Sequence, residues 1–489
     1  MTTASLEQIK AAGWLKDSNH ISGKWVPADD GRVHGVDDPA TETPIGEIPW
    51  SGAAETRRAI DAAHGAFASW SMTTAAERAG FLSRMAQTVR DNLDMLATML
   101  TFEQGKPLAE ARTEMRLGAD YLQWFAEEAR RINGEIIPSP WKDRQVLVTR
   151  EPVGVVGAIS PWNFPFSMLS RKVAPALAAG CTIVIKPSEF TPYCGLLYAV
   201  LAEKAGVPAG VVNVVTGDGA AIGGELCANP LVRKIIFTGS TRVGKLLYGQ
   251  SAGTMKKLSM ELGGNAPTIV FDDADLDLAV ENAVAGKFRN SGQTCICTNR
   301  FYVQDAIYDG FARRLVERVA QMKVGNGFEI GVEQGPLINQ AAVTKVEGHV
   351  QDARNKGGRI LLGGQRHALG KTFFEPTVIA DAAPDMLIAQ EETFGPVAAL
   401  FRFTDEQEGV AAANATEFGL AAYFYTRDLA RAFRVARALR SGMIGINAGV
   451  ITTVEAPFGG VQDSGIGREG SAHGIEEYLN LKYLSLGGL

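Results

Sequence analysis

From residue 153 the chain repeats one unit, a short β-branched apolar run closed by Gly or Pro and then a helical stretch of roughly a dozen residues. Residues 154–159, 182–186, 211–216 and 234–238 read as strands, with helices over 167–179 and 193–205 between them. A strand that feeds a helix and returns to a parallel strand closes right-handed, so this alternation dictates an α/β fold: a Rossmann-like parallel sheet covered on both faces. Ligands of such sheets sit at the C-terminal strand ends. A second α/β alternation follows Gly264, with strands over 268–271, 359–362, 421–425 and 443–447 and helices over 276–288, 308–322, 342–355 and 429–439. Residues 51–130 carry three long helical patterns, the second opened by a capping box, Thr74-Ala-Ala-Glu77, before an apolar stripe at Phe81, Leu82, Met85 and Val89. The β-like segments 145–150 and 476–485 lie far apart and predict a small third layer, paired within or between subunits. The expected division is residues 1–127 with 149–262, residues 263–468, and residues 128–148 with 469–489 as a small β oligomerisation layer.

A chain of 489 residues exceeds one hydrophobic core, and its 46% hydrophobic and 21% charged content is that of an ordinary globular protein. The formal charge of -6, with no Lys/Arg block, lacks the electrostatic footprint of a nucleic-acid or anionic-membrane binder. Five cysteines, at 181, 194, 227, 295 and 297, make no secreted disulfide framework and predict a reducing compartment. The start shows no apolar signal core, and the longest uncharged apolar stretch, 173–185, is shorter than the ~20 residues a bilayer demands. These features predict a cytoplasmic protein that does not enter the membrane.

Several motif look-alikes fail on context. Gly239-Ser-Thr-Arg-Val-Gly244-Lys245 nearly spells a P-loop, but Leu246 stands where a Mg²⁺-ligating Ser or Thr is required. The same turn still offers backbone N–H groups and a helix N-terminus to a dinucleotide phosphate. Gly465-Ile-Gly467-Arg-Glu-Gly470 matches a dinucleotide fingerprint, yet too little chain remains for a βαβ unit, so it reads as a turn. Six scattered histidines give no metal-ligand spacing, and no G-x-S-x-G elbow presents a serine nucleophile. No metal is expected.

The chemistry gathers around Cys295, in the frame Gly292-Gln-Thr-Cys295-Ile-Cys297, with Glu261-Leu-Gly-Gly264 and Pro161-Trp-Asn163-Phe-Pro165 upstream. A thiol nucleophile, a carboxylate and a side-chain amide are what holding and then hydrolysing an aldehyde adduct requires. With Lys186-Pro-Ser-Glu189, Phe237-Thr-Gly239-Ser240, Glu391-Glu392-Thr-Phe394-Gly-Pro396 and Pro457-Phe458-Gly-Gly460, these motifs run in register along essentially the whole chain. The chain resembles the aldehyde dehydrogenase superfamily, and within it the succinate-semialdehyde dehydrogenases, through 287–300 and the 465–470 tail. The resemblance makes 1–127 with 149–262 an NAD(P)-binding domain, 263–468 the catalytic domain, and the whole a homodimer or homotetramer.

It also makes Cys295 the nucleophile, Asn163 and the Cys295 backbone N–H the oxyanion donors, and Glu261 the base that activates water against the thioester. The alternatives are a buried structural thiol at Cys295, a helix N-cap at Asn163 and a strand-end salt bridge at Glu261. For the cofactor, Lys186 and Glu189 lie past the second strand, where a ribose belongs, with Ser188 between them. A carboxylate at Glu189 favours NAD and leaves NADP open. Glu392 resembles the carboxylate for the nicotinamide ribose. Ser160, Pro161 and Trp162, the turn at Gly219, and Phe237, Gly239, Ser240, Leu262 and Phe394 complete the implied cofactor site. Arg171 lies eight residues after Asn163 and Arg289 six before Cys295, where many relatives carry aromatics. Two guanidiniums there make a carboxylate clamp and predict an ω-carboxylated aldehyde, with surface salt bridges as the alternative. Thr452-Thr453 replaces a Ser pair, which keeps glutarate semialdehyde beside succinate semialdehyde, and Phe458 completes the implied substrate wall. Cys297 reads either as a buried thiol or as a reversible disulfide partner of Cys295.

Overall fold

The computed structural model describes residues 4–488. Two sheets dominate it. The first has eight strands, in the order Lys24–Val26, Asn19–Ile21, Val212–Val214, Thr182–Lys186, Val155–Ile159, Val232–Thr238, Lys257–Glu261 and Gly465–Ile466. Its five central strands are parallel and the flanking pieces antiparallel. The chain order reverses on either side of Val155–Ile159, which opens a crevice between the C-terminal ends of that strand and Val232–Thr238. The strands are apolar because both faces are covered: Val155–Ala158, Ile183–Ile185 and Ile235–Ile236 are buried, under the helices Ala53–Ser71, Pro165–Ala179, Pro192–Ala205 and Gly219–Ala228.

The second sheet has seven strands, in the order Arg359–Leu362, Thr377–Ala380, Val397–Phe403, Thr298–Gln304, Ala266–Val270, Ala421–Tyr425 and Met443–Ile446. All but the first are parallel to their neighbours. Three of these strands escape the periodicity reading. Thr298–Gln304 carries Thr298, Asn299 and Arg300 in its buried half, Thr377–Ala380 is only four residues long, and Val397–Phe403 is a continuous apolar run that periodicity does not separate from a buried helix. The 51–130 region forms four helices rather than three, because Leu93–Gln104 is apolar on nearly all sides and is set off only by Asn92 and by Gly105 in the left-handed region. The expected pairing of the two far-apart β-like segments forms within one chain, with Leu479–Gly487 against Arg144–Pro152 and Glu135–Ile137 beyond. The 465–470 turn contains a two-residue strand that closes the edge of the first sheet on Met260 and Glu261. Gly465 takes φ 134°, and a side chain there would collide with the Met260 carbonyl.

Arg300 ties the second sheet to its covering helix. Fully buried, it donates to the Asn265 carbonyl, to the Tyr302 hydroxyl, and to the Ala412 and Ala413 carbonyls at the end of Glu406–Asn414. Arg300→Met orphans those buried carbonyls and is expected to cost about 3 kcal/mol or more. The apparent thermal midpoint should drop or soluble yield collapse, and a variant melting like the wild type would contradict this role.

Candidate active site

Every strand of the parallel core of the first sheet ends on the same side, and four of the five contribute there. Ser160 follows Ile159, Lys186 ends its strand, Gly239 follows Thr238, and Glu261 is the last residue of its strand. The segment after Ile159 turns sharply through Pro161 to Pro165 into the helix Pro165–Ala179, whose N-cap is Phe164 and not Asn163. The capping bonds come from elsewhere: Glu114 Oε1 accepts from the Phe166 and Ser167 backbone N–H groups at 3.0 and 3.2 Å. Asn163 is thereby free of capping. Lys106 Nζ binds Glu114 Oε2 at 2.6 Å and donates to the Asn163 carbonyl at 2.7 Å, lying over the Phe164 ring. The Asn163 side-chain amide turns to the nucleophile loop and donates to the Gln293 carbonyl at 3.0 Å, and its Oδ1 has no partner. One amide hydrogen remains for an oxyanion.

The nucleophile loop follows Leu276–Lys287 through a left-handed turn, with Asn290 at φ 51°, Ser291 at φ 57° and Gly292 at φ 73°. Two non-glycine residues there cost on the order of 1 kcal/mol each, and hydrogen bonds over-determine the turn. Glu110 Oε2 accepts from Asn290 N, Ser291 Oγ donates to Gly335 O, and Asn290 Nδ2 reaches the Asn163 carbonyl. Gln293 bonds Asn290 O and Ile338 N. Gly292 is required by space too, since a Cβ would strike the Gly395 carbonyl.

Cys295 emerges from this loop partly exposed and packs beside Ile451 and Phe458. Burial pushes its thiol up to about 12, Glu392 and Glu261 push the same way, and Arg171 opposes them. It rests as a neutral thiol. Glu261 is buried with both carboxyl oxygens unpartnered, so the strand-end salt bridge does not form. Burial and then Glu469 hold its pKa well above the usual carboxylate range, against Lys172, Arg171 and Arg468. Glu469 in turn binds Lys172, which donates to Thr238 Oγ1 at 2.6 Å.

Arg171 sits on the helix Pro165–Ala179, whereas Asn163 precedes that helix's N-cap, so helical spacing does not relate the two. Arg171 is 3% exposed, its guanidinium stacks over Phe458 at 4.2 Å and Tyr121 at 5.0 Å, and Glu469 is 3.8 Å away. Its Nε and Nη1 have no hydrogen-bond partner. Burial works against its charge, but Tyr121, Glu469, Cys295 and Glu261 more than offset this and raise its pKa. Arg289 is half-buried over the Phe164 ring at 5.3 Å. Thr452 is half-buried with its hydroxyl unbonded, whereas Thr453 is exposed and its hydroxyl donates to Glu455. Only the Thr453 carbonyl turns inward, to Tyr121 Oη at 3.1 Å.

The crevice suits a nicotinamide dinucleotide. Buried Ser160 Oγ has no partner, and the helix Thr241–Ser251 opens at Ser240, whose side chain caps Val243 and leaves earlier N–H groups free. The Phe237 ring packs so tightly under Gly239 that a side chain there would collide, and Leu262 closes the same way on Gly244. Gly219 opens the helix Gly219–Ala228 beside Lys186, whose ammonium lies within ordinary contact of it. Lys186 Nζ meets Glu189 at 3.0 Å. Burial raises the Glu189 pKa but Lys186 more than offsets it, so this carboxylate is charged. Ser188 Oγ accepts from Phe190 N as a turn element. Glu392 Oε1 accepts from Gly264 N at 3.2 Å, and burial pushes its carboxyl up to about 7. Trp162 and Phe394 meet edge-to-face at 5.5 Å, with Phe394 at φ 55°.

Sequence reasoning missed the residues that hold these groups in place: Lys106, Glu110, Glu114, Lys172, Asn290, Gln293 and Glu469. A signal existed in two places. Lys106 is a charge pinned between Gly105 and Pro107 at a helix junction, and Lys172 doubles Arg171 on an otherwise apolar helix.

The description "Aldehyde dehydrogenase family" fits residues 25–484. The chain is 56% identical to the 3-sulfolactaldehyde dehydrogenase of Pseudomonas putida, over 99% of both chains. It is 55% identical to the glutarate-semialdehyde dehydrogenase of Pseudomonas aeruginosa, over 99% of this chain and all of that one. The crystal structure of succinate-semialdehyde dehydrogenase from Burkholderia pseudomallei superposes with a TM-score of 0.97 at 56% identity, covering 97% of this chain and 99% of that one.

With the thiol pKa at about 12, alkylation of Cys295 in the cofactor-free protein should accelerate about tenfold per pH unit from 7 to 10, without a plateau. Iodoacetamide labelling followed by peptide mass spectrometry measures it. A plateau below pH 8 would show that a thiolate exists at rest.

Proposed function

The chain belongs to the aldehyde dehydrogenase family, and on that premise we propose that it oxidises a short ω-carboxylated aldehyde, succinate semialdehyde first and glutarate semialdehyde next, to the dicarboxylate. The enzyme is an NAD(P)-dependent oxidoreductase acting on aldehydes. One observation carries the substrate reading: Arg171 is a buried cation beside the nucleophile with Nε and Nη1 unsatisfied. A buried guanidinium left without its hydrogen bonds is costly, and a substrate carboxylate at the far end of the cavity supplies them. Arg289 and the free Thr452 hydroxyl add donors from the loops that flank Cys295. Thr453 serves this site through its carbonyl and its neighbour Glu455.

The residues act in sequence. The Cys295 sulfur gives its proton to solvent water and bonds the aldehyde carbon, and the carbonyl oxygen becomes an oxyanion held by the Asn163 amide and the Cys295 N–H. Losing one such donor typically costs ~10²- to 10³-fold in rate. Bound NAD(P)⁺ supplies the hydride acceptor that turns the aldehyde carbon to acid level. Glu261 then takes a proton from water, the water oxygen bonds the thioester carbon, and the carbon–sulfur bond breaks to return Cys295. The raised Glu261 pKa suits it to take that proton near neutral pH, with Lys172 and Glu469 behind it. For the cofactor, Ser160, Pro161 and Trp162 line the crevice, Gly219, Phe237, Gly239, Ser240 and Leu262 shape its phosphate end, and Glu392 and Phe394 hold its nicotinamide end. A charged Glu189 beside Lys186 favours an unmodified ribose and therefore NAD.

The assembly is proposed as a homodimer or homotetramer, because the 135–152/479–487 sheet shows solvent a run of large apolar side chains, Ile136, Trp141, Leu481 and Tyr483 among them. Among the described residues no helix is long and apolar enough to cross a membrane, and all five cysteines are free. We assign the protein to the cytoplasm on the strength of those thiols.

The decisive assay follows NADH absorbance with butanal, succinate semialdehyde and glutarate semialdehyde. The carboxylated aldehydes should lead by ten- to a hundredfold in kcat/KM, since one charge-assisted contact is worth ~1.5 to 3 kcal/mol. Arg171→Met should erase that lead chiefly through KM, leaving butanal little changed. Equal use of all three aldehydes by the wild type would refute the clamp. Cys295→Ala should abolish turnover while NAD still binds. Glu189→Ala should raise kcat/KM with NADP relative to NAD, and an unchanged ratio would take Glu189 out of ribose selection.

A further inference from the structure

Lys287 is the last residue of Leu276–Lys287 and is fully buried, yet no carboxylate and no carbonyl accepts from it. Its one hydrogen-bond partner among the described residues is the Cys297 sulfur, 3.8 Å from Nζ. Cys297 is equally enclosed, at 4% exposure, and its Sγ donates to the Gly292 carbonyl at 3.3 Å. The reaction described above uses neither group. A buried ammonium is ordinarily held by a carboxylate or by carbonyl oxygens, as Lys106 and Lys172 are here. An amine whose only hydrogen-bond partner among the described residues is a thiol is placed for chemistry with that thiol.

We propose that Lys287 and Cys297 form a modification site, a covalent nitrogen–oxygen–sulfur bridge made under hydrogen peroxide and undone by dithiols. Two peroxides are consumed. One replaces the Cys297 S–H by S–OH and the other replaces one Lys287 N–H by N–OH, each taking two electrons and releasing one water. Loss of a third water joins the two as N–O–S. Amine, thiol and two peroxides thus give the bridge and three waters. Two dithiothreitol molecules return the four electrons and restore amine, thiol and one water. The peroxide is small enough to enter beside partly exposed Cys295.

The bridge spans 287 to 297 and so rings the nucleophile loop. It fixes the left-handed turn at Asn290–Gly292 from both ends and removes Cys297 as a partner for Cys295. The competing outcome, a Cys295–Cys297 disulfide, requires the Cys297 sulfur to leave both Gly292 and Lys287, and a disulfide between residues this close in sequence departs from relaxed geometry.

The test treats the full-length enzyme with hydrogen peroxide, blocks remaining thiols with iodoacetamide and maps tryptic peptides. The expected species joins the peptide ending in Lys287-Phe288-Arg289, uncleaved at Lys287, to Asn290–Arg300. Its mass is the sum of the two peptides plus one oxygen and minus two hydrogens, with one carbamidomethyl group added on Cys295. Dithiothreitol should release it, and activity should fall in proportion to the bridged fraction and return with release. Lys287→Arg should abolish the species and send Cys297 to sulfinic acid or to a disulfide with Cys295. The proposal is overturned if wild-type Cys297 is found only in a disulfide, only as sulfinic or sulfonic acid, or still alkylatable. It is likewise overturned if the joined species resists dithiothreitol, as a sulfinamide of equal mass would. Because the readout is a peptide mass, failure here leaves the substrate reading untouched.

Discussion

Three distant segments converge on one peptide oxygen, the carbonyl of Asn163, which accepts from both Lys106 Nζ and Asn290 Nδ2. Through Lys106 the oxygen is joined to Glu114 and hence to the start of the helix that carries Arg171 and Lys172. Through Asn290 it is joined to the left-handed turn that presents Cys295. The Asn163 amide, the Arg171 guanidinium and the Cys295 thiol therefore sit on backbones locked to a common point. The two sheets supply rigid platforms, and this knot fixes the register between them. Displacements well under 1 Å matter for attack geometry, which is why the fold invests buried charges here, although burying them is costly unless each is fully bonded.

The charge distribution around the knot is deliberately unbalanced. Arg171, Lys172 and Arg468 face Glu261 and Glu469. Three cations against two carboxylates leave the cluster with excess positive charge and two idle guanidinium N–H positions. An anionic tail entering this space completes a balance that the protein alone leaves open. The same field reaches Cys295, whose thiol is raised by burial and two carboxylates and lowered by Arg171. Arg171 is thus the one cation that opposes the upward shift of the Cys295 thiol.

Much of this was legible in the chain. The alternation of β-branched runs and helices gave the α/β class, and the frames around Asn163, Glu261 and Cys295 named three groups that the fold does bring together. Arg171 was singled out by a helical spacing from Asn163 that the fold does not keep, since Asn163 lies before the N-cap of the helix that carries Arg171. What stayed hidden was hidden for physical reasons. Thr298–Gln304 looks polar because Arg300 and Asn299 satisfy backbone carbonyls from inside the core. Glu114 carries no local signature, since a side chain that caps a helix fifty residues downstream is invisible to spacing rules. Thr453 looked like a substrate donor by position, but the short path to Glu455 claims its hydroxyl first.

The last strand of the first sheet, Gly465–Ile466, and the long strand Leu479–Gly487 are both made from the end of the chain. During synthesis the Lys257–Glu261 edge is translated long before its antiparallel neighbour, and at roughly 5–20 residues per second the wait is on the order of ten to forty seconds. An open parallel edge with an apolar face is a template for illegitimate pairing. The nascent protein thus holds the Lys257–Glu261 edge unpaired until Gly465–Ile466 emerges, so its dependence on chaperones in the cell should be concentrated in that interval.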